Sequence, residues 1–163
     1  MGTYAATQLV IVTKSLANGS HPFDFQIDKG FFEAFDNTEI KCAALKVGVN
    51  VRKMGPLQLE VQVAVNGEVE VACDRCLDNV AIPVIFTDSL EEEEVLEMTE
   101  SESGELDLTQ YVYDSVCVGM PLQRIHAEGA CNPEMLALWQ SNNEQTPRES
   151  GAFEGLKDLL NRK

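Results

Sequence analysis

The sequence predicts an α+β fold, a bent antiparallel β-sheet with two or three short helices. Three observations carry that expectation. From Ile40 to Ile85 apolar residues recur mostly at every second position, as a half-buried strand requires. After Asp107, and again near the end of the chain, they recur at helical spacing. Gly and Pro residues fall between the apolar runs, where turns belong. At 163 residues and 44% hydrophobic, the chain is long enough for one domain with its own core.

Taken in order, residues 3–13 and 21–28 alternate loosely and are separated by Gly19-Ser20, which predicts two antiparallel strands paired with each other. His21 beside Pro22 reads as a surface turn residue. Phe31, Phe32 and Phe35 then suggest a helical turn. The alternating sets Val47, Val49, Val51, then Leu57, Leu59, Val61, Val63, Val65, then Val69, Val71 read as a meander. Its turns are expected at Gly55-Pro56 and at Asn66-Gly67, the second a strong hairpin signal. Asp107 is placed to cap a helix with Gln110 three residues on, and Leu108, Tyr111, Val112 and Val116 form its apolar face. Gly119 and Pro121 end it.

The acidic segment 88–107 lacks Lys and Arg and supplies ten of the carboxylates behind a net charge of −15. It is expected to be a solvated loop or frayed helix, either keeping the protein soluble or offering Glu91, Glu92, Glu93 and Glu94 to a basic partner. Phosphate neutralisation by Lys and Arg supplies most nucleic-acid affinity, so strong direct RNA binding is not expected. Residues 140–152 read as a polar linker. Phe153, Leu156, Leu159 and Leu160 then form the apolar stripe of an amphipathic helix over 153–163, a second candidate partner-binding surface. One domain over 1–139 is therefore expected, followed by the linker and the helix.

The N-terminus lacks a basic segment ahead of an apolar run, and the longest apolar stretch, Val80–Phe86, is far short of the roughly 20 residues a membrane helix needs. With five cysteines, an odd number, a cytoplasmic chain with reduced thiols or metal ligands is expected, with no membrane partner. The sharpest motif is Cys73-Asp74-Arg75-Cys76, between strand-like runs. Two thiolates on one tight turn can face a single ion, and His126 with Cys131 could complete a Cys3His tetrahedron around a structural zinc. The alternatives are reduced, metal-free thiols and a thiol-based redox pair. The redox reading is the weaker because a strand, not a helix N-terminus, follows the motif. Cys42 and Cys117 sit among apolar residues and read as small buried side chains, and Trp139 as a packing residue. No phosphate loop, nucleophile elbow or metalloprotease motif is found, so the sequence gives catalysis no support.

Several motifs in order carry a family resemblance. Cys73-Asp74-Arg75-Cys76-Leu77 is followed by the acidic stretch and then by Gly104-Glu105-Leu106-Asp107-Leu108. Met120-Pro121-Leu122, His126, Glu128 and Cys131 come next, and a tail with Pro147-Arg148, Phe153, Leu156 and Leu159 closes the set. Over residues 68–163 the chain resembles the YceD family of large ribosomal RNA subunit accumulation proteins. Cys117 and Gly119 depart from the plain aliphatic run expected before the proline. The resemblance implies a non-catalytic accessory role in large-subunit ribosomal RNA accumulation or ribosome assembly. Joined to the charge argument, it suggests a basic protein of the large subunit as partner. The competing class is a thiol-based redox or zinc-handling protein using Cys73 and Cys76.

Overall fold

Strand residues that alternate in polarity bury one face of a sheet and leave the other in solvent, and the long strands of this chain do so. The computed structural model of the protein describes residues 6–56 and 58–145. Four strands, β2 (Gly19–Asp28), β3 (Cys42–Lys53), β4 (Leu59–Ala72) and β5 (Asn79–Leu90), form an antiparallel meander in the order β2-β3-β4-β5. Their inward residues, among them Val47, Val49, Val51, Val61, Val63 and Val65, are almost fully buried. The fold is α+β with a bent antiparallel sheet, as the sequence predicts.

The first strand departs from expectation. Strand β1 (Val10–Val12) does not pair with β2 but with β6 (Glu105–Asp107), forming a second small sheet with Ile11 opposite Leu106. Leu9, Ile11 and Leu106 are all buried, and that shared apolar side decides the pairing. His21 likewise lies within β2 and not in a turn, with Nε2 2.8 Å from the Ala17 carbonyl oxygen.

Asn66-Gly67 is not a turn either. Strand β4 runs straight through it, and Gly67 pairs with Leu45 on β3. Gly67 has φ +155°, and a Cβ there would run into the Ala44 carbonyl oxygen and lie 2.9 Å from Leu45 Cα. Glycine is needed for that close approach of two backbones, a demand that in sequence looks the same as a hairpin signal.

Among the described residues there are four short helices, of which the first three pack against the strands. Asp28 caps α1 (Lys29–Glu33) by accepting from the Gly30 N–H at 2.8 Å. Phe31 and Phe32 from this helix are fully buried, each adding about 1.5–3 kcal/mol of apolar burial. Helix α2 (Glu92–Glu97) and strand β6 lie inside the acidic segment 88–107; the helix is one of its two expected forms, solvated loop or frayed helix, whereas the strand is neither. The alternation of carboxylates conceals two buried anchors there, Val95 and Leu106, and carboxylates in a first turn suit the helix dipole. Helix α3 (Thr109–Gly119) buries Val112 and Val116, while Leu108 takes the cap position. Asp107 acts one residue earlier than predicted, its Oδ1 accepting from the Thr109 N–H at 2.9 Å.

Helix α4 (Pro133–Gln145) runs six residues into the stretch read as a linker. Trp139 on it is 61% exposed, so within the described residues it does not serve as a packing residue. Cys42 is also exposed at the start of β3, because its side chain falls on the outer face of the sheet, and Cys117 is only half-buried. The predicted helix over 153–163, and with it the contact candidates Phe153, Leu156, Leu159 and Leu160, lies outside the described residues.

Candidate metal centre

The turn between β4 and β5 is closed by two backbone bonds, Cys73 N–H to Asp78 O at 2.8 Å and Leu77 N–H to Cys73 O at 3.0 Å. Leu77 takes a left-handed conformation, φ 65°, to complete it. This tight path turns Cys73 and Cys76 inward, and both are fully buried. A second segment, between α3 and α4, runs alongside. Asp74 fastens the two segments by a reciprocal pair of bonds: its N–H donates to the Arg124 carbonyl oxygen and its Oδ2 accepts from the Arg124 N–H, both at 2.8 Å. Arg124 also reaches Glu39 through its guanidinium at 2.8 Å. Further along, Asn132 Nδ2 donates to Asp78 Oδ2 at 3.1 Å.

That clamp brings His126 and Cys131 against the first pair of thiols. Cys76 Sγ lies 3.4 Å and Cys131 Sγ 3.9 Å from His126 Nδ1, and Cys73 Sγ lies 3.9 Å from Cys131 Sγ. The four donor atoms all fall within 4.8 Å of one another. A tetrahedral zinc with ordinary bond lengths puts its ligand atoms roughly 3.6–3.8 Å apart, close to the three separations of 3.4, 3.9 and 3.9 Å, so the cluster could close on such an ion by a small inward movement of its side chains. His126 Nε2 lies 3.0 Å from the Asn79 carbonyl oxygen. Donation to that oxygen places the ring proton on Nε2 and leaves the Nδ1 lone pair directed at the thiols, the outer-shell support that metal-binding histidines usually have.

The electrostatics favour a thiolate at one position in particular. Burial pushes the Cys73 thiol up, but hydrogen bonds from the Cys76, Arg75 and His126 backbones and from the Cys76 side chain outweigh it and bring the pKa down to about 6. The Arg75 N–H, 3.5 Å from Cys73 Sγ, is one of those donors. His126 is raised, chiefly by its hydrogen bond to Cys73 and then by the Asn79 carbonyl. Cys131 is raised by burial first and then by the neighbouring thiols of Cys73 and Cys76.

Residues 61–160, more than half of the chain, match the family described as large ribosomal RNA subunit accumulation protein YceD. The chain belongs to the YceD family. No curated protein and no solved structure matches it. The match begins within β4 and takes in all four residues of the cluster, so the part of this YceD chain that carries the family pattern also carries the candidate centre.

Of the other predicted site residues, Glu91, Glu92, Glu93 and Glu94 are exposed at the start of α2, more than a loop but still open to solvent. Glu91 and Glu94 are joined by a 2.9 Å bond from the Glu91 N–H to Glu94 Oε2. Asp74, Asn79 and Arg124 went unrecognised in the sequence. Asn79 and, in part, Arg124 act through backbone atoms, which leave no mark on residue type. Among the described residues, no helix is long and apolar enough to cross a membrane.

Proposed function

We propose that this YceD-family member is a non-catalytic accessory factor for accumulation of large-subunit ribosomal RNA, acting in the cytoplasm by contact with a basic protein of the large subunit. The family match carries the ribosomal part of this reading. The contact part is supported by the acidic face. Among the described residues the ion pairs are Lys29–Glu33, Arg52–Glu60 and Arg124–Glu39, so none of the carboxylates of residues 88–107 is spent on an internal cation. Glu91, Glu92, Glu93 and Glu94 form the contact surface on α2, and Phe153, Leu156, Leu159 and Leu160 are proposed as the second.

In the same proposal, Cys73, Cys76, His126 and Cys131 hold a structural zinc that staples the β4–β5 turn to the segment before α4. The bound ion supplies fixed geometry and no chemistry.

The test is the ratio of mature large- to small-subunit rRNA in depleted cells, complemented with wild-type protein, a variant with Glu91–Glu94 changed to Gln, or Cys73→Ser. Depletion should lower the ratio, and the four-Gln variant should restore it only in part. An unchanged ratio on depletion would refute the ribosomal role.

One observation favours a second reading, a thiol-based redox or zinc-handling protein. Cys73 combines a lowered pKa with a neighbouring thiol, Cys131, at 3.9 Å. If that reading holds, metal-free protein treated with hydrogen peroxide forms a Cys73–Cys131 disulfide, the two sulfurs giving up two electrons and their protons to convert the peroxide into two water molecules. Mass spectrometry showing these thiols intact in the peroxide-treated metal-free protein would refute the redox reading.

A further inference from the structure

Beside α2 the surface is not only acidic. Leu59, Val95 and Leu96 line a cleft of about 120 Å³ between α2 and the start of β4. A second hollow of about 260 Å³ adjoins it, sharing Leu59 and Glu92 and adding Met54. Leu96 is 50% exposed and Met54 45%, so both hollows have a large apolar side chain open to solvent. Cofactor and drug-sized clefts run to about 300–1,000 Å³, so the first cleft is small for such a ligand and suits a single aliphatic side chain.

The rim is what selects the occupant. Glu92 and Glu100 border the cleft, and Glu92 with Glu60 borders the hollow. Of these, Glu60 is paired with Arg52. Lys14 is the cation in the lining, and its ammonium is turned to the carbonyl oxygens of Ser101 and Glu102. An apolar slot inside a carboxylate rim matches a segment in which an aliphatic residue is flanked by Lys or Arg.

We propose that this groove is the docking site for such a segment, with one leucine-like side chain entering between Leu59 and Leu96 and its basic neighbours lying over Glu92 and Glu100. The proposal rests on the reading of the acidic face as a contact surface, and adds that the contact has an apolar anchor. The acidic rim supplies orientation and encounter rate, while the anchor supplies the part of the affinity that salt does not screen.

The experiment uses the full chain and three labelled peptides: lysine-arginine repeats with a central leucine, the same with serine for the leucine, and the leucine peptide with its cations replaced by glutamate. Anisotropy gives affinities at low and at physiological salt, and amide shifts in an isotope-labelled sample locate the contact. The basic leucine peptide should bind about tenfold tighter than its serine counterpart, with shifts at Leu59 and Leu96. Leu96→Ser should erase that tenfold difference and Leu96→Met should keep it, both with unchanged circular dichroism. Changing Glu91–Glu94 to Gln should weaken both basic peptides alike.

If the two basic peptides bind equally and only the four-Gln variant matters, the groove proposal fails while the acidic contact stands. If no basic peptide binds, both fail. If the glutamate peptide binds best, or if the Leu96 shift follows protein concentration and not peptide, the occupant is of another kind or is a second copy, and the proposal is overturned.

Discussion

His126 is held through both ring nitrogens, one near a backbone carbonyl oxygen and the other facing thiols, and its geometry is therefore fixed before any ion arrives. Purified protein should carry about one zinc, and Cys73→Ser should abolish it, as metal analysis of fresh preparations would show. Removing the metal with a chelator should lower the melting temperature of the wild type and leave Cys73→Ser unmoved, because ion binding adds to folding free energy. The pH dependence follows from the directions of the shifts. Cys73, with a pKa of about 6, is already a thiolate at neutral pH, whereas Cys131 is raised and must give up a proton to bind. Affinity should therefore climb with pH through the neutral range; as pH falls, His126, whose pKa is raised, takes up its proton first, and Cys73 follows near 6. A zinc competition titration from pH 5 to 8 measures this, and no change across that range would contradict it. These four residues were legible in the sequence because spacing limits which side chains can share a tetrahedron. The Asp74–Arg124 clamp was not, since its partners are 50 residues apart and it is made largely by backbone groups.

At the scale of elements, Gly67 gives the clearest test. Gly67→Ala should destabilise the protein by about 2–4 kcal/mol, because the methyl group meets main chain on β3 that cannot step aside. Chemical denaturation would measure the loss, and a neutral result would mean the strands are further apart than described. The alternation that defines β3, β4 and β5 was plain in the sequence, as one buried face demands it. The turns at Gly55-Pro56 and at Cys73–Cys76 were legible as well, but Asn66-Gly67 was not, because Asn-Gly satisfies a hairpin and a close strand crossing equally well. In the acidic segment a helix was one of two expected forms, but β6 was hidden for a related reason. Its periodicity is carried by single residues, Val95 and Leu106, too few to show against so many carboxylates. Helix α4 buries little, its Leu138 and Trp139 being exposed, and its amphipathic pattern is correspondingly faint.

For the whole molecule, charge is the property that reaches furthest. A net charge of −15 opposes the approach of phosphate, so the full chain should bind naked RNA only weakly at physiological salt. Tight, salt-resistant binding in an anisotropy assay would contradict both this expectation and the protein-contact reading. Deleting residues 147–163 is expected to leave the domain folded while weakening partner binding, and a large fall in melting temperature would show instead that those residues belong to the core. The α+β class was readable because strand and helix periods occupy separate stretches. The pairing of β1 was hidden, since a three-residue strand carries almost no pattern of its own.

That pairing joins residues near the start of the chain to residues some two-thirds of the way along it, Val12 to Glu105. During synthesis at about 5–20 residues per second, β1 must then wait on the order of 5–20 s outside the ribosome for its partner to emerge. Through that interval Leu9 and Ile11, buried in the finished protein, have no strand to lie against. Residues 9–12 are thus secured only once residues 105–107 have emerged, and until then they stand open to proteases and to misplaced pairing.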